Sequence, residues 1–112
     1  MQPGDFVLAV TLEKITISSK LLGRLEGRSS LGRLGIVVHS TASVFDPGWE
    51  GQAVLELGNL GIIPVILYPG MRICAMTFEQ LSSEAEIPYS KKKEAKYKLQ
   101  NGPIESKIQK EF

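Results

Sequence analysis

Histidine and cysteine occur only once each among the 112 residues, as His39 and Cys74. A lone cysteine excludes a disulfide within the chain and points to a reducing compartment. One histidine and one cysteine do not supply the three or four ligands of an ordinary zinc site, so no zinc is expected. No apolar run reaches the ~18 residues of a membrane span. No charged start followed by an apolar stretch marks a secretory signal. These absences predict a cytoplasmic chain with no membrane partner. Hydrophobic residues at 43% and charged residues at 22% exclude a disordered or fibrous chain. The length fits a single domain over 1–112. A chain of this size hides only roughly two-thirds of its unfolded surface, so partner subunits are expected to finish the core.

Net charge is only +1, but it is spread unevenly. Residues 1–90 carry six Lys/Arg against nine Asp/Glu, and residues 91–112 carry seven Lys against three Glu. A basic tail on an acidic body suits an anionic ligand or an acidic neighbouring surface. A solvated terminal tail is the plainer alternative.

The apolar segments are short and rich in β-branched residues. Phe6 to Leu12, Ile15-Thr16-Ile17, Gly35 to His39, Ala53 to Leu57, Val65 to Tyr68 and Arg72 to Phe78 each read as strands. Pro3-Gly4, Asp46-Pro47-Gly48, Gly58-Asn59, Gly61 and Pro69-Gly70 punctuate them. Strands at spacings of roughly 8–12 residues with turns between them predict an all-β sandwich or barrel. Ser18 to Gly23 and Ser29 to Gly35 read as single helical turns. Ser90 to Leu99 reads as a short basic helix stopped by Asn101-Gly102-Pro103.

Several residues are candidates for chemistry. Leu25 to Gly35 packs Arg28, Arg33, Ser29, Ser30 and three glycines between strands. Glycine lets backbone amides approach a ligand, and the forked donors of arginine suit phosphate. Such a loop holds a phosphate chain or is a surface turn with solvated charges. Asp46 enters a turn made rigid by Pro47 and Gly48, fit to bind a sugar hydroxyl or to cap its own turn. Alternation sets Ala53, Leu55 and Leu57 on one face of a strand and Val54 and Glu56 on the other. Glu56 is then either partly desolvated and suited to proton transfer, or a carboxylate on the wet side of a sheet. His39 and Cys74 read as structural residues. Trp49 packs in its turn or anchors an interface. Tyr89, Lys96 and Gln100 would together lay a ring, a cation and an amide over an anion.

The order Gly27-Arg28-Ser29-Ser30-Leu31-Gly32-Arg33-Leu34-Gly35, His39-Ser40-Thr41-Ala42, Asp46-Pro47-Gly48-Trp49-Glu50-Gly51, Val54-Leu55-Glu56-Leu57 and Tyr68-Pro69-Gly70-Met71 resembles the dCTP deaminase family. The resemblance continues through Pro88-Tyr89, Ala95-Lys96-Tyr97 and Gln100, in order and at matching spacings. The wider family includes dUTPases. The resemblance implies a jelly-roll-like distorted barrel with short helical turns, assembled as a homotrimer with sites at subunit interfaces. It implies a dCTP or dUTP ligand and no nucleic-acid partner.

The same resemblance implies roles. Arg28, Ser29, Ser30, Leu31, Gly32 and Arg33 match the loop that binds phosphate and base. Asp46 matches the residue at the deoxyribose, and Ala42 is carried over as substrate-binding. Val54, Leu55 and Glu56 match the strand at the pyrimidine, with Glu56 as general base. Ser29 and Arg33 match residues of the reaction centre. Tyr89, Lys96 and Gln100 match a C-terminal segment, 88–112, that closes over the triphosphate. Glu56 would take a proton from a water that attacks the ring carbon bearing the amino group, and return it to the leaving ammonia. Zinc deaminases use a metal-bound water and a His/Cys ligand set instead. Magnesium would accompany the triphosphate.

Two departures stand out. Met1-Gln2-Pro3-Gly4-Asp5 matches the middle of the usual family chain, so an N-terminal helix and early strands are expected to be missing. Thr41-Ala42-Ser43 and Cys74-Ala75 stand where members that also cleave dUTP to dUMP often carry Thr-Ala-Gly and Gly-Gln, which leans toward deamination alone. The rivals are a dUTP diphosphatase or bifunctional enzyme, and a truncated trimer that binds nucleotide without turnover.

Overall fold

Alternation decides the central strand. Ala53, Leu55 and Leu57 are buried, while Val54 and Glu56 are half-buried on the opposite face. In the computed structural model, which describes residues 1–111, this strand is β5, Glu50–Asn59. Phe112, the last residue of the expected C-terminal segment, lies outside the described residues. β5 is flanked by β1 (Phe6–Thr16) and β3 (Ile36–Val37) in one antiparallel sheet. A second antiparallel sheet has the order β4 (Val44–Phe45), β2 (Leu21–Gly27), β6 (Cys74–Gln80). The fold is all-β, and one helical turn, α1 (Ser29–Gly32), joins β2 toward β3.

The core lies between the sheets. Leu25 of β2 meets Val38, Leu55 and Leu57 in one cluster, and Ile17, Trp49 and Ala53 form a second. Each fully buried aliphatic side chain stabilises the fold by about 1.5–3 kcal/mol relative to exposure. Phe45 meets Trp49 edge to face, with centroids 4.8 Å apart. Leu31, Ile36 and Val65 form a third cluster under α1.

Four segments depart from expectation. Ser18 to Gly23 is a turn that runs into a strand: the Leu21 N–H bonds the Ser18 carbonyl at 3.2 Å, and β2 then pairs with β6 from Leu21 to Gly27. Gly23 and Leu25 share its buried face, so period-2 burial overrides the local helical signal. Ile15-Thr16 belongs to β1, which passes through a register shift between Val10 and Lys14 instead of breaking there. Among the described residues, Val65 to Tyr68 joins no ladder. Val65 is pinned by Met1, whose ammonium donates to its carbonyl at 2.6 Å and whose carbonyl accepts its N–H at 2.9 Å. Ser90 to Leu99 is a 3-10 turn, Tyr89–Lys91, followed by further turns. Tertiary bonds from Tyr89 and Gln100 draw that segment along β5 in place of a helix. β4 has no counterpart among the expected strands; Val44 and Phe45 pair with Arg24 and Gly23.

Among the described residues, no helix is long and apolar enough to cross a membrane.

Candidate functional site

The face of β5 opposite the core floors a groove of about 620 Å³. Val54 and Glu56 point into it, beside Phe6 and Leu8 of β1. The register sets Leu8 directly across from Glu56, so an ionisable carboxylate stands among apolar neighbours. The Ser40 N–H donates to Glu56 Oε2 at 3.3 Å, and the Glu56 N–H donates to the Val38 carbonyl at 3.1 Å. The segment after β3 thus holds both ends of Glu56.

Ala42, Asp46 and Trp49 form a second wall. The Asp46 carbonyl accepts the Trp49 N–H at 3.0 Å, closing the turn in which Gly48 has φ +82. A side chain at Gly48 would also meet Pro88 at 2.5 Å, so glycine lets the C-terminal segment pass close by. The Asp46 carboxylate faces Lys92 Nζ at 3.1 Å. Trp49 is buried and both packs in the core and lines the groove.

The C-terminal segment supplies the remaining wall through Tyr89, Tyr97, Gln100, Ile104 and Ser106. The Tyr89 N–H bonds the Pro47 carbonyl at 2.7 Å, and its hydroxyl accepts the Tyr97 N–H at 3.0 Å. Gln100, only 8% exposed, donates from Nε2 to the Gln52 carbonyl at 2.9 Å. A basic tail therefore lies along the groove, with Lys107 over the Tyr97 ring at 5.6 Å.

Of the residues singled out in the sequence, Ala42, Asp46, Val54, Glu56, Tyr89 and Gln100 meet at this groove. Leu55 turns to the other face, and its side chain is in the core. Lys96 points away, into an ion pair with Glu111. Ser29, Ser30 and Arg33 are exposed and Leu31 is buried; with Gly32 they stand outside the lining of the groove. Arg28 lies on a second groove of about 610 Å³ and donates to the Arg72 carbonyl at 2.6 Å. That second groove also holds Cys74, partly buried against the core; burial, and then the nearby Glu13 carboxylate, push its thiol up. His39 Nδ1 is buried and has no hydrogen-bond partner among the described residues.

Phe6, Leu8, Tyr97, Ile104 and Ser106 also line the groove, with no role expected of them from the sequence. Alternation puts Phe6 and Leu8 on one strand face, but only the register sets them against Glu56. Tyr97 had a signal in the Ala95-Lys96-Tyr97 stretch; Ile104 and Ser106 had none.

Residues 1–81 match a family model described as dCTP deaminase-like. The chain belongs to that family. It is 59% identical over all of its 112 residues to a protein of Thermomicrobium roseum named dCTP deaminase, covering 57% of that relative. It is 53% identical, again over its whole length, to a protein of Dictyoglomus thermophilum named dCTP deaminase, dUMP-forming, covering 58% of it. A Haloarcula marismortui protein named dCTP deaminase is 55% identical over 97% of the chain, which covers 56% of that relative. The chain thus spans little more than half the length of these members of the family. The two antiparallel sheets agree with the all-β, dUTPase-type fold expected of it.

Proposed function

We propose that the groove binds dCTP and that Glu56 catalyses its hydrolytic deamination to dUTP and ammonia. The observation that carries this reading is Glu56 itself. It is half-buried on the groove floor opposite Leu8, with one carboxylate oxygen held by the Ser40 N–H and the groove open before it. Relatives named dCTP deaminase, matched over 100% and 97% of the chain, supply the substrate class.

Each part of the groove then has a task. Val54 offers an apolar surface to a pyrimidine. Asp46, fixed by the Pro47-Gly48 turn, accepts from a deoxyribose hydroxyl once Lys92 gives way. Tyr89 and Gln100 close over the ligand from the C-terminal segment. Glu56 takes a proton from a water, and the water oxygen bonds to the ring carbon bearing the amino group. The proton passes to the amino nitrogen as the carbon–nitrogen bond breaks and ammonia leaves, and the remaining hydroxyl proton moves to the adjacent ring nitrogen to give the uracil carbonyl. General acid–base catalysis of this kind contributes typically 10²–10⁴-fold.

Ser29 and Arg33 are the reaction-centre partners carried over from the family, and in the single chain they stand apart from the groove lining. That separation fits a homotrimer in which the Arg28 to Arg33 loop of one copy completes the groove of the next. Large exposed apolar side chains favour such an assembly, among them Ile62 at 93% exposure, Leu12 and Ile66. The groove's two carboxylates are Asp46, already paired with Lys92, and Glu56; that donor set suits no divalent cation held by protein alone. Magnesium would be held by the phosphates of the nucleotide and neutralise their charge.

Incubation with dCTP and magnesium, with the nucleotide products resolved, tests the whole reading. Release of dUTP and ammonia supports it, and dCTP returned unchanged sinks it. Because the Dictyoglomus relative is named as dUMP-forming, the same assay reads pyrophosphate: dUMP with pyrophosphate assigns the bifunctional reaction. The Thr41-Ala42-Ser43 and Cys74-Ala75 stretches favour dUTP as the end product.

A further inference from the structure

We infer that Gln52, which does not line the groove, is the positioning residue that docks the C-terminal segment over it. This rests on the reading that the groove takes a nucleotide. β1 and β5 lose step between Val10 and Lys14: Val10 pairs with Val54, and Lys14 with Gln52. Two extra residues on β1 thus bulge out of the ladder, beginning at Thr11 and its carbonyl. Gln52 Nε2 donates to that carbonyl at 2.9 Å, while Thr11 Oγ1 accepts the Ala53 N–H at 3.0 Å.

The bulge side spends only one end of the Gln52 amide. Oε1 accepts the Gly102 N–H at 3.0 Å. The main chain of Gln52 completes the clamp. Its N–H donates to the Gln100 carbonyl at 2.9 Å, and its carbonyl accepts Gln100 Nε2 at 2.9 Å. Three bonds therefore run from one residue of β5 to the segment that carries Tyr97, Gln100, Ile104 and Ser106 into the groove.

Two backbone features show how closely the segment is seated. Gly51 has φ +141, and a Cβ there would lie 2.7 Å from the Gln100 carbonyl oxygen. Leu99, exposed and not glycine, has φ +49. That conformation is costly for a branched side chain and persists only where neighbouring contacts over-determine it. The Gln52–Gln100 bonds are the adjacent contacts that do so.

The test uses the full chain with Gln52→Leu and Gln52→Glu. Leucine removes both side-chain bonds; glutamate keeps an acceptor for the Gly102 N–H and gives up the donor to Thr11. Amide hydrogen exchange of residues 97–106 is compared with that of β2. In Gln52→Leu, exchange of the segment should rise about three- to tenfold, the weight of one lost hydrogen bond, with β2 unchanged. Gln52→Glu should stay within about twofold of the parent. With dCTP as substrate, Gln52→Leu should raise KM by a similar factor and leave kcat within about threefold. Unchanged exchange in Gln52→Leu overturns the inference. So does equal loosening in both variants, which would assign Gln52 to the bulge alone. If the parent turns over no dCTP, the function fails while exchange still decides the clamp.

Discussion

Glu56 and Ser40 are joined across the back of the groove, the Ser40 N–H donating to Glu56 Oε2 at 3.3 Å. A backbone donor holds one oxygen of a carboxyl side chain that lines the groove, the arrangement a carboxylate needs to work on a water. Glu56→Gln keeps an acceptor for Ser40 and removes the proton shuttle. It should lower ammonia release from dCTP by about 10²- to 10⁴-fold. Thermal shift on adding dCTP should persist, separating lost chemistry from lost binding.

Asp46 and Lys92 make a half-exposed ion pair at 3.1 Å. Exposed pairs of this kind contribute about 0–1 kcal/mol. Lys92→Ala should therefore leave the unfolding midpoint close to that of the parent. Asp46→Ala should raise KM for dCTP by about tenfold through loss of one charged hydrogen bond. Steady-state kinetics on the two variants read the difference.

Asn59 is 1% exposed and carries a network of its own. Its Nδ2 donates to the carbonyls of Met1 and Ile63 at 3.1 and 2.9 Å, and its Oδ1 accepts the Gly61 N–H at 2.9 Å. Asn59→Ala strands those buried groups and should cost about 2–3 kcal/mol in urea unfolding. The slope of the transition should not change.

Burial, followed by the Glu13 carboxylate, holds the Cys74 thiol above its ordinary 9.0. The neutral thiol is favoured in the folded state. Its contribution is thus complete below the ordinary value and is lost as pH rises through the folded one. Cys74→Ala should flatten the part of the fall in stability above pH 9.0 that the thiol causes. Iodoacetamide should modify Cys74 more slowly in the native chain than in urea at pH 8, because the thiolate is the reacting form.

The sequence by itself carried the all-β class, the turn at Asp46-Pro47-Gly48 and the two faces of β5. Each follows from short-range rules: a period of two, a fixed proline φ, a permissive glycine. It misread Ser18 to Gly23 and Ser90 to Leu99, where local helix signals yielded to the β2–β6 ladder and to bonds with Pro47 and Gln52. Register was the deciding quantity for the site. Only the pairing of Leu8 with Glu56 surrounds that carboxylate with apolar side chains, and only the bulge before Lys14 frees Gln52 to reach both Thr11 and Gly102. Such partners lie about forty to fifty positions apart in the chain, beyond any local propensity, and the free energy that brings them together is released only when the sheets close on a shared core.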